Sequence, residues 1–278
     1  MGGRTLLFGA NSMLGWSIFT RGGLADVTPF CNGFTRTLPA GVDRGIHLDD
    51  ELAVALLFRR ERPDLIIHCA GVCDVDKCES SPAFALSVNV EGARILADHA
   101  PPETRIVYCS SDHVFSGDGG PYREDSPPDP ISVYGRTRVA AEGILLARPN
   151  TLVIRAGLWI GPSSNGRIGH LDWLRYRHER QLPMTVVADE FRSAAWAHDA
   201  ARRVAELALS ETTGIRHIHA SRAVSRPELA RYLCQRFGIG ARVEVEKRSD
   251  RRSPHLGRVE LATLYRDRWA EPMPPVVA

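Results

Sequence analysis

The chain opens on an apolar run, RTLLFG (4–9), followed by a helical pattern, MLGWSIFTRGG (13–23). Further runs, DLIIHCA (64–70), RIVYCSS (105–111) and TLVIRAG (151–157), repeat the strand signal, and VTPFCNGFTR is a candidate second strand. Helices are predicted over 80–100 and 132–147, the first with Ser81 at its cap and Pro82 in its first turn. Unbroken apolar runs are what strands buried on both faces look like. Their alternation with helices predicts an α/β fold, a Rossmann-type doubly wound parallel sheet.

After residue 155 the order changes. Residues 168–181 and 198–211 read as helices, VSRPELARYL carries a capping box (Ser225, Glu228) with Val224 and Leu229 as a staple, and 241–248 alternates like an exposed strand. This predicts a Rossmann domain of residues 1–155 plus about 196–220. A smaller C-terminal substrate lobe takes about 156–195 plus 221–278 and covers the sheet's carboxyl edge. Two connections, 31–48 and 112–131, are long and irregular, and the second sits where a site is expected.

Composition excludes more than it identifies. Hydrophobic content of 44% and a net charge of +2 over 278 residues give no argument for nucleic acid or a membrane surface, and no apolar run has the length of a membrane span. The chain reads as cytoplasmic, with a small-molecule substrate and a possible homodimer. Six cysteines are expected as reduced thiols. HCAGVCDVDKC lacks the paired spacing of a metal site, so no metal is expected. Only Lys77 and Lys247 are lysines, so almost every cation is arginine.

FGANSMLG, between the first strand and the first helix, has the context of a diphosphate-binding turn. Gly9 suits the tight turn, Gly15 the close helix–sheet contact, and the Ser12 hydroxyl a phosphate, with Asn11, Met13 and Leu14 beside them. The second strand ends without the acidic residue that binds an adenosine ribose, and Arg36 stands there instead. NADP(H) is therefore favoured, with NAD(H) possible.

GANSMLG, RPDLIIHCAGVCDVDKCE, VNVEGARILA, CSSDHVFSGDGGPYREDSPPDPISVYGRTRVAAE, VIRAGLWIGP and VVADEFRSAAWAHDAA occur in order over most of residues 4–220. Together they resemble the extended short-chain dehydrogenase/reductases of the dTDP-4-dehydrorhamnose reductase type. The resemblance implies an oxidoreductase acting on a nucleotide-linked 4-keto sugar with NADPH or NADH. It puts the catalytic hydroxyl on Ser111, the catalytic tyrosine on Tyr134 and the usual lysine on Arg138, with Cys69, Ala70 and Gly71 along the cofactor. His113, Ser12, His47 and Arg138 depart from the family's pattern.

Tyr134 and Arg138 lie one helical turn apart, so a cation stands beside the phenol and is expected to lower its pKa. Asn165, Arg167, Arg192, Arg252, His255 and Arg258 are candidates near the second lobe, Ser111 and His113 near the substrate carbonyl. Two other readings stay open. One is a non-catalytic NADP-binding regulatory or scaffold protein, like the regulatory β subunit of methionine adenosyltransferase, which resembles this family. The other is a sugar-nucleotide epimerase or dehydratase.

Overall fold

The computed structural model describes residues 3–33, 35, 37–42, 44–240 and 242–277. In chain order, β1 (Thr5–Phe8) leads to α1 (Met13–Arg21), β2 (Val27–Asn32), β3 (Gly45–Ile46) and α2 (Glu51–Glu61). Then come β4 (Leu65–His68), α3 (Val75–Ser80), α4 (Pro82–Leu86), α5 (Gly92–His99), β5 (Arg105–Cys109), α6 (Val133–Leu146) and β6 (Thr151–Ala156). The remainder is β7 (Leu158–Ile160), α7 (His170–Glu179), β8 (Met184–Val187), β9 (Phe191–Trp196), α8 (Ala197–Ala208) and β10 (Gly214–Ile218). It closes with β11 (Ala223–Ser225), α9 (Arg226–Arg236), β12 (Val243–Glu246) and β13 (Arg258–Val259).

Seven strands form one sheet in the order β10-β6-β5-β4-β1-β2-β3, and every neighbouring pair is parallel. This is the Rossmann-like α/β architecture the alternating pattern predicts. Alternate residues leave opposite faces of each strand. Leu6, Ile66, Ile106 and Val153 pack with Val54 of α2, Leu96 of α5 and Leu145 of α6. Leu7, Ile67, Val107 and Leu152 pack with Leu14 and Ile18 of α1 and Val204 of α8. The strand order reverses between β1 and β4, and a crevice at such a switch point is where open α/β sheets bind ligands.

A third apolar cluster lies outside the sheet and joins Leu171 and Leu174 of α7, Met184 of β8, and Leu229 and Leu233 of α9. The capping box of Ser225 and Glu228 is present, and the staple pair Val224 and Leu229 is buried in this cluster. β12 is an edge strand pairing parallel with β8.

Several local expectations are revised. The 31–48 connection contains β3, which pairs with Cys31 and Asn32. α2 has a legible basis in hindsight: Asp50 caps it by accepting from the Ala53 N–H at 3.0 Å, and Val54, Leu57 and Phe58 are buried on one face. The helix expected over 80–100 runs from Pro82 to His99 and widens into a π turn over Ser87–Glu91. Pro82 does open α4, but the Ser81 side chain makes no capping bond. The 112–131 segment is ordered. Ser116 donates to Asp129 at 2.5 Å, and Val114, Phe115 and Tyr122 are buried against Leu256, Val259 and Leu261. No helix among the described residues is long and apolar enough to cross a membrane.

Candidate active site

A cleft of about 510 Å³ opens at the switch point, lined by the β1–α1 turn, the loop after β4, the end of β5, the start of α6, and later residues that include Leu158, His170, Arg226 and His255. That size suits a cofactor with part of a substrate. Gly9, with φ +83°, makes the turn, and a Cβ there would fall 2.6 Å from the Ala70 backbone nitrogen. At Gly15 a Cβ would fall 2.1 Å from the Gly9 carbonyl oxygen, so helix and turn touch. Ser12 caps α1, its hydroxyl accepting from the Gly15 N–H at 3.0 Å. The hydroxyl proton is left for a phosphate at the helix N-terminus. Asn11, Met13 and Leu14 line the same wall, as do Cys69, Ala70 and Gly71 opposite. The cradle therefore fits a dinucleotide on its own geometry.

Beside the glycine turn, Asn32 from the tip of β2, His47 and Asp49 share a small pocket with Gly9 and Ala70. Asp49, absent from the sequence reading, accepts from Ser87 at 2.6 Å. Arg36, the expected 2′-phosphate ligand, lies outside the described residues.

Ser111, Tyr134 and Arg138 all line the cleft, and all three are buried. Ser111 stands two residues beyond β5, where its hydroxyl accepts from the His113 N–H at 3.2 Å. Tyr134 opens α6, whose cap Ser132 accepts from the Gly135 N–H at 3.0 Å while Glu79 accepts from Val133 at 2.6 Å. The phenol has Ser111 and Arg138 as polar neighbours. The Arg138 guanidinium carbon lies 4.9 Å from the Tyr134 ring centroid. Burial raises the Tyr134 pKa and the Arg138 charge only opposes it, so the expected net lowering is reversed. A phenol that keeps its proton suits a group that must donate one.

The π turn places Asn89 where sequence reasoning had no reader for it. Its side chain donates to the Val72 carbonyl at 3.0 Å and to Thr137 at 2.9 Å, and accepts from the Val72 N–H at 2.8 Å. It thus ties the loop after β4 to α6. A polar residue within an apolar helical stripe was the available signal.

The substrate candidates divide. Arg192 lines the cleft, but its guanidinium forks onto buried Asp112 (Nε to Oδ2 at 2.6 Å) and reaches Glu190 at 3.1 Å and His113 at 3.2 Å. Asn165 and Arg252 are exposed and outside the cleft lining, and Arg258 stacks on Phe191 at 4.4 Å. His255 lines the cleft, held by Glu190 at 2.7 Å. Burial opposes ionisation of Glu190, but His255, Arg226 and Arg192 hold the carboxyl well below its usual range.

His170 and Arg226, 2.8 Å apart, also stand at this end and were not foreseen. They and His255 are shared with a second chamber of about 730 Å³, which adds Arg167, Arg177, Arg251 and Trp173. Among the described residues no group of three or more His, Cys, Asp or Glu is arranged to hold a metal.

The family model described as "RmlD substrate binding domain" matches residues 3–270. The chain belongs to the RmlD substrate-binding domain family. A "dTDP-4-dehydrorhamnose reductase" of Streptomyces griseus is 34% identical over 76% of this chain and 67% of its own length. "Methionine adenosyltransferase 2 subunit beta" of Xenopus tropicalis is 36% identical over 52% of this chain, but the match spans only 43% of that protein. Among solved folds, dTDP-4-dehydrorhamnose reductase from Bacillus anthracis str. Ames, in complex with NADP, superposes with a TM-score of 0.82 at 22% identity. It covers 99% of this chain and 96% of its own. RmlD membership thus accords with the strand order and the cleft at its switch point.

Proposed function

We propose that this protein is an NADPH-dependent reductase of a dTDP-linked 4-keto sugar. The observation that carries the reading is the convergence of Ser111, Tyr134 and Arg138 on the cleft that holds the glycine turn. NADPH would lie along Gly9, Ser12, Gly15 and Ala70, and supplies the hydride when bound. The name of the Streptomyces griseus relative and the NADP of the Bacillus anthracis structure support substrate class and cofactor.

In this reading Ser111 donates a hydrogen bond to the carbonyl oxygen and Tyr134 delivers its phenolic proton there, leaving an alcohol and a phenolate. Arg138 stabilises that phenolate by its charge. It cannot release a proton, so re-protonation of Tyr134 comes from water or a ribose hydroxyl rather than from the cation. Residues of about 156–195 and 221–278 act as the substrate lobe. In the second chamber Arg226 suits a diphosphate, while Arg177 already covers a face of Trp173, its guanidinium carbon 5.3 Å from the ring centroid.

The test is consumption of NADPH in the presence of a dTDP-linked 4-keto-6-deoxy sugar, beside tryptophan-fluorescence titration with NADPH and NADH. Saturation by NADPH, tighter than by NADH, and sugar-dependent oxidation are expected. Binding of neither cofactor ends the reading. Binding without turnover on any such sugar favours a regulatory protein, the reading that the similarity to the Xenopus tropicalis subunit supports.

A further inference from the structure

Arg138 sits on α6 between two tyrosine rings and is 4% exposed. Its guanidinium carbon is 4.9 Å from the Tyr134 ring centroid and 5.7 Å from that of Tyr108. Nη1 donates to the Tyr108 hydroxyl at 2.7 Å. Nη2 fills the space beside Gly71, where a Cβ would come within 2.5 Å of it. Nε is buried without an acceptor.

Arginine is longer than lysine and carries its charge on a planar fork, so it needs room and an acceptor that fixes its plane. Both are present. Gly71 leaves the room. Tyr108, on β5 and fully buried, offers an oxygen fixed by the sheet, and its ring packs 5.2 Å from His68. A buried tyrosine hydroxyl usually has a partner; here the partner is the cation.

We propose that Gly71 and Tyr108 form a receptor that seats the Arg138 guanidinium against Tyr134, with Tyr108 a positioning residue for the reduction. The inference rests on the reductase reading for its kinetic consequence. Its geometric content is that this site is shaped for arginine, not merely tolerant of it. Without the Tyr108 oxygen, a second guanidinium donor joins Nε in lacking an acceptor, and the side chain relaxes toward the solvent of the cleft.

The experiment is a cycle of wild type, Tyr108→Phe, Arg138→Lys and the double variant, read by kcat against pH and by NADPH dissociation constant. Tyr108→Phe is expected to lower kcat about tenfold, the scale of a lost hydrogen bond to a charged group. It should also move the basic limb of kcat to higher pH, because a looser cation stabilises the Tyr134 phenolate less. In the Arg138→Lys background the same change should do little. An unmoved limb, or an equal loss in both backgrounds, would mean that Tyr108 acts only as core packing, and overturns its role.

Gly71 itself, at φ +148° and with Asn89 Oδ1 2.8 Å from where a Cβ would stand, is not substituted. If Tyr108→Phe does not fold, Arg138→Lys carries the test alone: a lysine that lacks the planar fork is expected to lower kcat about tenfold, and a kcat equal to or above that of wild type shows that the site is not shaped for arginine. If wild type has no sugar-dependent turnover, the functional reading falls and the receptor is judged by NADPH affinity. A weakening of about tenfold is expected on Tyr108→Phe with Arg138 and none with lysine. Equal effects in both backgrounds refute it.

Discussion

At the residue scale, the decisive feature is how the surroundings of Tyr134 act on its proton. Burial raises the phenol pKa and Arg138 offsets part of the rise, so the phenol is protonated throughout the neutral range, as the proposed role requires. Activity in the reducing direction should be flat across neutral pH and decline only above the ordinary phenol value of about 10. A kcat profile that already falls near pH 7 would contradict this. Tyr134→Phe should lower kcat by about two to four orders of magnitude, the usual scale of a general acid, while NADPH affinity stays within a few-fold. Unchanged turnover would end the proposed role. Ser111, Tyr134 and Arg138 were named from the family resemblance, and only the Tyr134–Arg138 pair, one helical turn apart, follows from local spacing. The pairing of Arg192 was not legible: its partner Asp112 lies 80 residues away in the chain, and that pairing turns a substrate-binding candidate into part of a buried ion network.

At the scale of elements, α6 must hold Tyr134 against the end of β5, and two contacts fix it. Asn89 in the π turn bonds Thr137, and Glu142 forms a buried ion pair with Arg155 of β6 at 2.7 Å. Glu142 also accepts from Ser110 at 2.5 Å, so one carboxylate joins helix, strand and active-site loop. Removing one member of such a pair leaves an uncompensated buried charge. Glu142→Leu should therefore destabilise the protein by about 3–5 kcal/mol, and adding Arg155→Met should recover most of it. Urea denaturation of the three proteins checks this, and a loss below about 1 kcal/mol for Glu142→Leu would show that the pair is not anchoring the helix. β1, β2, β4, β5, β6, α6 and the capped start of α9 could be read from apolar runs, helical patterns and a capping box; β10, which completes the sheet beside β6, was not among the runs read. The π turn could not be read, because it answers to contacts with the loop after β4 and with α6.

For the whole molecule, the buried histidines set an acid limit. His68 is held near a pKa of about 3, by burial and then by the Arg138 charge, and His217 near about 4, chiefly by burial. Both stay neutral in the folded protein while the unfolded chain takes up protons near pH 6.5. The folded pKa values are depressed, so their stability contribution is complete above about pH 6.5 and is lost as pH falls from there, toward about 4 for His217 and about 3 for His68. The urea midpoint should drop between pH 7 and pH 5. His68→Phe keeps a ring against Tyr108 without the titration and should flatten that drop. An identical slope in the variant would remove His68 from the account.

The sequence alone determined the sheet class, the glycine turn and the shared helix face of Tyr134 and Arg138, because each rests on a pattern local to one stretch of chain. Apolar runs specify buried strands wherever they fall, and residues 134 and 138 share a helix face in any fold that makes them helical. Tertiary structure decided what those groups can do. Burial, a property of the assembled sheet and helices, outweighs the cation in setting the Tyr134 proton. The order β10-β6-β5-β4-β1-β2-β3 brings Cys69, Ala70 and Gly71 opposite the turn at Gly9, and brings Tyr108 under Arg138. The tail residue His255 reaches the cleft because Glu190 holds it there. Such contacts join parts of the chain far apart in sequence, and no local pattern encodes them.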